Sequence, residues 1–478
     1  MDKLEFIEKV IGEKEELLKE ASRKIWEAAE LPYMEKESAE ILMDILKNEG
    51  FVVEEGVADM PTAFIARYGQ GKPVAGFLGE YDALDALSQK PGIPRKDPLV
   101  KDGPGHGCGH NLLGTGSLGA AIALKEYLTS TGEEGTVIYY GTPAEEGAGS
   151  KQFMAREGIF DEADFVYTWH PATKNGVQSD RTVAIMGANF RFKGLTSHAG
   201  GSPHLGRSAL DAAELMSVGV NYLREHMIDQ ARIHYAYMDA GGVSPNVVQD
   251  RSLVKYEVRA PKVSQMRDLF DRVVDVAKGA SLMTGTTVEH DITMAFSDYI
   301  SNGVLAEIGN KCLMEVGPPK WNDEDYKLAA EFLGTYDKST QKAIREDLEE
   351  IYGFDKVDEI LKKPLDSMVH PWKKDNRKYS SGSTDVGDVS YVVPTLNFQI
   401  ATACVGNVGH TWQMTAQSGS RIGEKGMLTA AKVMALSAIR TMEDRDAIKR
   451  AKDFVKIQNG GKYICPLPEK LKPPVGTY

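Results

Sequence analysis

A cysteine and a histidine two residues apart stand in the glycine-rich segment GHGCGHN at residues 105–111. A thiolate and a neutral imidazole are both good ligands for zinc-like metal ions. The flanking glycines allow backbone conformations that aim Cys108 and His110 at the same place. The spacing is therefore compatible with a metal site, although a structural role for both residues in the loop is an equal alternative at this point.

Two adjacent carboxylates, Glu145 and Glu146, follow a strand-like apolar run at residues 136–140. The carboxyl ends of parallel strands are where α/β sheets bind ligands. Neighbouring side chains do not easily share one role, so one carboxylate could bind a metal ion while the other accepts a proton from water. The alternative is a solvated acidic pair at the start of a helix, where the helix dipole favours negative charge. Taken alone, the pair is better explained by this alternative.

Two histidines also follow strand-like runs. His170 ends the run at residues 164–170, and His410 lies in the glycine turn GNVGHTW at residues 406–412. Each histidine could be structural when it is considered singly. Four separate strand-end loops that each offer sulfur, nitrogen or carboxylate oxygen are much less expected by chance, and together they favour one metal centre.

Several polar residues near these motifs allow two interpretations each. His106 could be a further ligand, but a supporting or structural role is preferred. Asp82 could orient a ligand histidine, because metal-bound imidazoles commonly hydrogen-bond a carboxylate. Asp85 is interpreted as a helix-start carboxylate, and Asp385 as part of an Asx turn in its Ser/Gly-rich loop.

The elements that must position these residues alternate between helix and strand patterns. Helical periodicity is found at residues 7–25, 35–48, 112–127 and 423–442. Strand-like runs are found at residues 51–53, 62–68, 74–78, 136–140, 165–167 and 395–400. Such alternation predicts an α/β catalytic domain with a mostly parallel sheet flanked by helices.

The order of the elements changes between residues 183 and 297, where the pattern predicts a βαββαβ unit. This order is a compact domain in itself. We interpret it as an inserted lid or dimerisation domain, because the earlier rhythm resumes afterwards. The catalytic domain would then comprise residues 1–182 and 298–478. Its second part contains a charged helical insert at about 318–378, for which a solvated surface arm is the alternative.

The composition excludes several classes of protein. A length of 478 residues favours two domains, and the formal net charge of -13 disfavours a nucleic-acid surface. We expect no membrane segment, since no apolar run approaches the roughly 18 residues that one needs. The start of the chain is charged from Asp2 onward, unlike a secretory signal. Four scattered cysteines fit a reducing compartment, so we expect a cytoplasmic protein.

Six stretches of the chain together resemble the M20 family of metallopeptidases and amidohydrolases, in its aminoacylase-like and auxin-conjugate branch. They are GEYDALDAL (79–87), GHGCGHNLLGTGSLGAA (105–121), GTPAEEG (141–147), SHAGGSPHLGRSALDAAELM (197–216), YSSGSTDVGDVSYVVPT (379–395) and GHTW (409–412). The resemblance covers most of the chain. It implies five metal ligands, namely Cys108, His110, Glu146, His170 and His410.

The resemblance also implies roles for residues that do not bind metal. Glu145 should act as the general base, and His198 should donate a hydrogen bond to the oxyanion in the active site of a partner subunit. Asn246 and Arg207 should bind the carboxylate of the substrate. The residue Asn111 departs from the aspartate that shorter relatives usually have after Cys-Gly-His. The charged insert is a second departure.

These implied roles predict a metal-dependent amidohydrolase that holds two divalent ions, zinc or manganese. The expected substrates are N-acyl or N-aroyl amino acids, and p-aminobenzoyl-glutamate, cleaved to p-aminobenzoate and glutamate, is the specific expectation. A dipeptidase or aminoacylase of the same fold is one alternative, and a non-catalytic partner in a hetero-oligomeric hydrolase is another. We expect a homodimer, the alternative being assembly with a homologous second subunit, and no nucleic-acid or membrane partner.

Overall fold

The computed structural model describes residues 2–374, 379–380 and 382–476. Its strands are β1 (Val52–Glu55), β2 (Phe64–Gln70), β3 (Val74–Gly79), β4 (Gly135–Gly141), β5 (Phe165–Ala172), β6 (Gly176–Val177), β7 (Ala184–Lys193), β8 (Arg232–Asp239), β9 (Arg251–Ala260), β10 (Thr287–Phe296) and β11 (Thr395–Ala401). Its helices are α1 (Lys3–Glu13), α2 (Glu15–Ala28), α3 (Lys36–Asn48), α4 (His110–Thr131), α5 (Lys151–Arg156), α6 (Ala209–Leu223), α7 (Val263–Thr284), α8 (Gly303–Val316), α9 (Asp323–Leu333), α10 (Lys338–Tyr352), α11 (Val357–Lys362), α12 (Val386–Val392), α13 (Trp412–Ser418), α14 (Arg421–Glu443) and α15 (Arg445–Gln458).

The larger of the two sheets in the described residues has the strand order β1-β2-β4-β3-β5-β11-β6. Its four central strands, β4, β3, β5 and β11, pair in parallel. The strands β1, β2 and β6 add antiparallel pairs at the two edges. The sheet is therefore mixed, and the predicted parallel part is its centre. Every residue of β3 is buried, as expected for a parallel strand that is covered on both faces.

The two long helices α4 and α14 pack against each other and against the central strands. Small residues on α4 permit this close approach. A Cβ atom on Gly114 would lie 2.6 Å from the backbone oxygen of Glu80, and one on Gly116 would lie 2.8 Å from the ring of Trp169. Glycine at these positions lets α4 lie close to the sheet, which places its first residue, His110, beside the ends of the strands.

The smaller sheet has the antiparallel order β10-β7-β9-β8, with α6 and α7 packed on one face. Buried and more exposed residues alternate along β9, as expected for a sheet with one covered face. The order of the elements is the predicted βαββαβ. The strand β8 lies at one edge of this sheet. The proposed boundaries at residues 183 and 297 stay a prediction.

The charged segment that follows contains α9, α10 and α11. Its apolar residues form two small clusters with the loop after β11 and with the helices α13 and α14. Residues 375–378, at the end of the predicted insert, lie outside the described residues. Within the described part of the chain, no helix is both long enough and apolar enough to span a membrane. The four cysteines are free thiols.

Candidate metal centre and active site

The five predicted metal ligands lie at the carboxyl edge of the parallel strands, where α/β sheets place their ligands. His110 begins α4, Glu146 lies in the loop after β4, His170 lies near the end of β5, and His410 lies in the loop after β11. Cys108 lies in the turn before α4. The residue between Cys108 and His110 is Gly109, whose φ of 79° is in the left-handed region that favours glycine.

The donor atoms of these five residues converge in two overlapping groups. Cys108, His110 and His170 form one group, and Cys108, Glu146 and His410 form the other; within each group the donor atoms lie within 4.8 Å of one another. The Cys108 Sγ atom is 3.4 Å from His170 Nε2. Oε1 of Glu146 is 3.3 Å from His410 Nε2 and 3.9 Å from His110 Nε2. The structure therefore brings together all five residues that the motifs single out.

This donor set fits divalent metal ions. Among the described residues, Nε2 of His110 and Oε1 of Glu146 are buried and make no well-aligned hydrogen bond. Buried polar atoms are normally satisfied, so two such atoms in one cluster point to a ligand that both would contact. Thiolate, imidazole and carboxylate are the donors that zinc and similar ions prefer in proteins.

Asp82 joins two of the elements that carry the cluster. Its Oδ1 atom is 2.8 Å from His110 Nδ1, and its Oδ2 atom accepts a hydrogen bond of 2.8 Å from the backbone nitrogen of Glu146. The bond to Nδ1 orients the imidazole so that Nε2 faces the cluster. Asp82 therefore fixes the ring of one predicted ligand and the backbone of another.

The adjacent carboxyl groups Glu145 and Glu146 differ in their electrostatic surroundings. Burial opposes the ionisation of Glu146, but the close polar contact with the His410 ring and the charge of His110 outweigh it and lower its pKa to about 2. Burial and the charges of Glu80 and Glu146 instead raise the pKa of Glu145 well above its ordinary value. Neighbouring groups with pKa values pushed apart are suited to different roles.

A buried ion-pair network that the sequence reasoning missed lies behind Glu145. Lys151 Nζ is 2.8 Å from Glu80 Oε1 and 2.6 Å from Asp385 Oδ1. The Oε2 atom of Glu80 is 3.4 Å from His110 Nε2. Asp385 also accepts hydrogen bonds from the backbone nitrogens of Ser150 and Lys151, so the predicted Asx turn is wrong. Nothing in the spacing of Lys151 distinguished it from a surface lysine.

The two other polar residues of the glycine-rich segment have structural roles. His106 Nε2 is 3.0 Å from the backbone oxygen of Ile25, and burial lowers the pKa of His106 to about 3. Asn111 Nδ2 donates to the Ser22 hydroxyl at 3.0 Å and to the Ser418 carbonyl at 3.1 Å. An aspartate at position 111 could not donate these bonds.

The cluster opens into a cavity of about 460 Å³ between the two sheets. Trp169 lines it on the larger sheet, and Phe296 and Arg259 line it on the smaller one. Nη1 of Arg259 donates to the Ser383 hydroxyl at 3.3 Å, whereas its buried Nε has no partner among the described residues. Sequence reasoning missed Arg259 because charged residues alternate along β9, as they do on any solvated strand face.

The three residues predicted to bind substrate from the inserted unit do not line this cavity in the single chain. His198 and Asn246 lie on neighbouring segments, since the backbone nitrogen of Ala199 donates to the Asn246 carbonyl at 2.9 Å. Arg207 Nη1 donates to the carbonyls of His204 and Gly206. Their predicted roles stay predictions.

The fold and this cluster are those of a known family. Residues 76–433 match the family model described as peptidase family M20/M25/M40. The chain belongs to this family, and it is an M20-family hydrolase. It is 40% identical over 472 residues to the B subunit of p-aminobenzoyl-glutamate hydrolase from Escherichia coli strain K12, a match that covers 98% of each chain. It is 31% identical over 443 residues to the Xaa-Arg dipeptidase of Mus musculus, a match that covers 90% of this chain and 86% of that protein.

Solved structures share the fold. A dinuclear metal binding peptidase from the M20 family of Bacillus subtilis matches with a TM-score of 0.60 at 16% identity, covering 90% of this chain and 98% of that one. The aminobenzoyl-glutamate utilization protein from Klebsiella pneumoniae matches with a TM-score of 0.59 at 18% identity, covering 91% and 98%. These matches confirm the predicted fold class, an α/β sheet flanked by helices with a second, smaller sheet.

Proposed function

We propose that this chain is a two-metal amidohydrolase of N-acyl or N-aroyl amino acids, with p-aminobenzoyl-glutamate as its substrate. The observation that carries the proposal is the pair of donor groups that share Cys108, set beside Glu145 in a cavity whose opposite wall holds Arg259. The similarity to the B subunit of p-aminobenzoyl-glutamate hydrolase over almost the whole chain supports the choice of substrate.

Two divalent ions, zinc or manganese, would be held by the two donor groups. Cys108, His110 and His170 would hold one ion, and Cys108, Glu146 and His410 would hold the other. The chemistry that such ions supply when bound is polarisation of the amide carbonyl and activation of water. Removal of metal by a chelator should abolish activity, and added divalent metal should restore it. Full activity in protein that is shown to be free of metal would contradict the proposal.

Glu145 would transfer the protons of the reaction. Its carboxylate would take a proton from the attacking water and give it to the nitrogen of the departing glutamate, as a general base must in hydrolysis. The raised pKa of Glu145 supports this role, because a carboxylate whose charged form is disfavoured by burial and by neighbouring carboxylates accepts a proton more readily.

Arg259 is the group that we assign to a carboxylate of the substrate within the same chain. A guanidinium forms forked hydrogen bonds with carboxylates, and the Nε of Arg259 has no partner among the described residues. Met294 and Phe296 line the same cavity and offer apolar contacts for a planar aroyl group. Together these residues favour a substrate that carries an aromatic ring and a carboxylate.

The chain would act as a dimer through its smaller sheet. The strand β8 lies at the edge of that sheet, where unpaired backbone groups can pair with a second strand. Exposed apolar side chains lie on β8 and on the neighbouring α6, namely Tyr235, Tyr237, Met238, Leu215, Val218 and Tyr222. Exposed apolar side chains concentrated on two neighbouring elements are typical of an interface. A homodimer is the simplest assembly.

A homologous second subunit is the alternative partner. Over 240 residues, or 48% of its length, the chain is 30% identical to the A subunit of p-aminobenzoyl-glutamate hydrolase from Escherichia coli. A non-catalytic role for this chain is disfavoured, because its metal donors and Glu145 are all present.

His198 would then complete the active site of the partner. Its Nδ1 atom accepts hydrogen bonds from the backbone nitrogens of Gly200 and Gly201, at 3.1 and 2.9 Å. The proton of the neutral ring therefore belongs on Nε2, which is free to donate to a developing oxyanion. Asn246, on the neighbouring segment, and Arg207 would approach the carboxylate of the substrate in the same partner site.

Steady-state kinetics on four compounds test the substrate: p-aminobenzoyl-glutamate, its α-amide, benzoyl-glycine and a dipeptide ending in arginine. A site that pairs a buried carboxylate should reject the α-amide strongly, because its own donors would be left unpaired. Preference for the dipeptide would favour the second candidate function, a dipeptidase, which the similarity to Xaa-Arg dipeptidase suggests. Indifference to the α-amide would leave only the general amidohydrolase.

Two variants test the catalytic assignments. Glu145→Gln should retain its metal while turnover falls by about 10²–10⁴-fold, the usual effect of losing a positioned acid or base. Loss of metal together with activity would show that Glu145 and Glu146 have exchanged roles. Mixing inactive Glu145→Gln with inactive His198→Ala should recover activity, since a mixed dimer holds one intact site. A mixture that stays inactive after demonstrated subunit exchange would exclude the role of His198 across the interface.

A further inference from the structure

The charged insert packs directly on the loop that carries His410. This loop, residues 402–411, connects β11 to α13 without a helix or strand of its own. Ile344 and Leu348 of α10 form a buried apolar cluster with Val405 of the loop. A Cβ atom on Gly406 would clash with the Ile344 side chain, so α10 approaches the backbone of the loop as closely as glycine permits. The insert is therefore not a solvated arm at this point.

Tyr336, between α9 and α10, makes polar contacts with the same loop, in addition to the hydrogen bond of 2.9 Å from the Val405 backbone nitrogen to the Pro364 carbonyl of the insert. Its hydroxyl donates to Asn407 Oδ1 at 3.0 Å and accepts a hydrogen bond from the backbone nitrogen of Val408, also at 3.0 Å. Burial raises the pKa of Tyr336 to about 12, so the hydroxyl keeps the proton that it donates. Gln417 on α13 donates to the same Asn407 oxygen at 2.8 Å. One hydroxyl therefore ties the loop to the insert by a side chain and by the backbone.

His410 needs such support because its own conformation is unfavourable. Its φ of 55° lies in the left-handed region, which residues other than glycine rarely adopt unless their surroundings impose it. Its side chain is 56% exposed, so burial does not hold it in place. Its backbone nitrogen donates to the Gly107 carbonyl at 3.0 Å, which links it to the turn that carries Cys108. The position of the His410 ring therefore depends on how firmly residues 406–409 are held.

We propose that Tyr336 is a positioning residue for the metal centre, which holds the loop of residues 406–409 so that His410 faces Cys108 and Glu146. The inference rests on the proposed function, because it takes His410 to be a metal ligand. The charged insert would then contribute to metal binding, since it packs against the loop that carries His410.

Zinc titration of the metal-free protein tests the proposal without any substrate. In Tyr336→Phe the ring still packs and the hydroxyl is lost, so the site that contains His410 should bind Zn²⁺ about 10–100-fold more weakly, the scale for losing a group that orients a metal ligand. The site formed by Cys108, His110 and His170 should keep its affinity. The activity that Tyr336→Phe loses at limiting Zn²⁺ should return at excess Zn²⁺.

Tyr326→Phe is the matched control. Tyr326 lies on α9, and its hydroxyl contacts the Ser367 hydroxyl at 3.0 Å and not the His410 loop. This variant should bind Zn²⁺ as the unaltered chain does, and its thermal unfolding should match that of Tyr336→Phe. Equal weakening in both variants, or a Tyr336→Phe affinity within twofold of the unaltered chain, would overturn the proposal. An unaltered chain that binds no Zn²⁺ would instead overturn the proposed metal centre itself.

Discussion

Lys151→Met removes the positive charge that faces two buried carboxylates beside the metal centre. The side chains of Lys151 and Asp385 are 0% exposed and that of Glu80 is 2% exposed. The charge of Lys151, aided by His110, holds the pKa of Glu80 below its ordinary value against the opposing effect of burial. Methionine fills a similar volume but supplies no charge, so both carboxylates would remain buried without their cation.

Two separate estimates give a similar decrease in the free energy of unfolding for Lys151→Met. Removing one partner of a buried ion pair costs about 3–5 kcal/mol, because a buried charge is left uncompensated. The variant can avoid that charge by protonating a carboxylate. Protonation costs about 1.4 kcal/mol for each unit by which the pH exceeds the pKa, so at pH 7 a carboxylate with an ordinary pKa of about 4 costs about 4 kcal/mol. We therefore expect the free energy of unfolding to fall by about 3–5 kcal/mol at pH 7.

Urea unfolding followed by circular dichroism at pH 7 and pH 5 measures the effect. The deficit should shrink by about 1.4 kcal/mol per pH unit as the pH falls, because protonation of the carboxylate becomes cheaper. Lys3→Met is the control. Lys3 pairs with Glu443 at 2.7 Å, and both side chains are about one-third exposed, so its loss should be close to the roughly 1 kcal/mol of a surface pair. A Lys151→Met deficit no larger than that of the control, or one independent of pH, would refute the reasoning.

Three other changes probe the same region. Asp82→Asn weakens the hold on the His110 ring, so Zn²⁺ affinity should fall by about 10–100-fold in a titration, and unchanged affinity would contradict the role of Asp82. Arg259→Lys removes the forked contact to the carboxylate, so steady-state kinetics should show KM for p-aminobenzoyl-glutamate rising at least about tenfold with little change in kcat. A KM that rises equally for the α-amide would contradict this contact. Burial lowers the pKa of His106 from 6.5 to about 3. As the pH falls below 6.5, the unfolded chain therefore binds a proton at His106 before the folded chain does, and the free energy of unfolding decreases. His106→Gln should flatten the slope of stability against pH between these values by about 1.4 kcal/mol per unit in urea unfolding, and an unchanged slope would contradict it.

The sequence predicted the elements and singled out the candidate metal donors that converge in the structure, because both depend on local patterns. The inserted βαββαβ order follows from the periodicity of residues 183–297, and the central parallel strands follow from their short apolar runs. The donors are visible because sulfur, imidazole and carboxylate at the ends of strands must face one edge of a parallel sheet. The antiparallel pairing of β1, β2 and β6 was not predicted, since the direction in which strands pair depends on contacts between distant segments.

The roles of residues whose partners are distant in the chain could not be predicted from the sequence. Lys151 and Arg259 have no neighbours in the sequence that mark them, and Asp385 was assigned to a local turn. Burial decides their roles: a lysine enclosed by two carboxylates and an arginine facing a cavity are defined only by the chain that surrounds them. The same holds for Tyr336, because only its contact with the folded loop that carries His410 distinguishes it from other tyrosines.

The amino-acid sequence by itself determined which chemical groups this protein can offer, and in which order its strands and helices present them. Residue type sets the ligand and acid–base chemistry, and hydrophobic periodicity sets the local elements, so neither requires knowledge of distant contacts. The tertiary structure alone decided which groups lie close enough to form ion pairs, to transfer a proton or to contact the same metal ion. Short distances between the donor atoms of residues such as Cys108, His170 and His410 arise only when separate strand ends meet, and burial then sets the dielectric in which their charges interact.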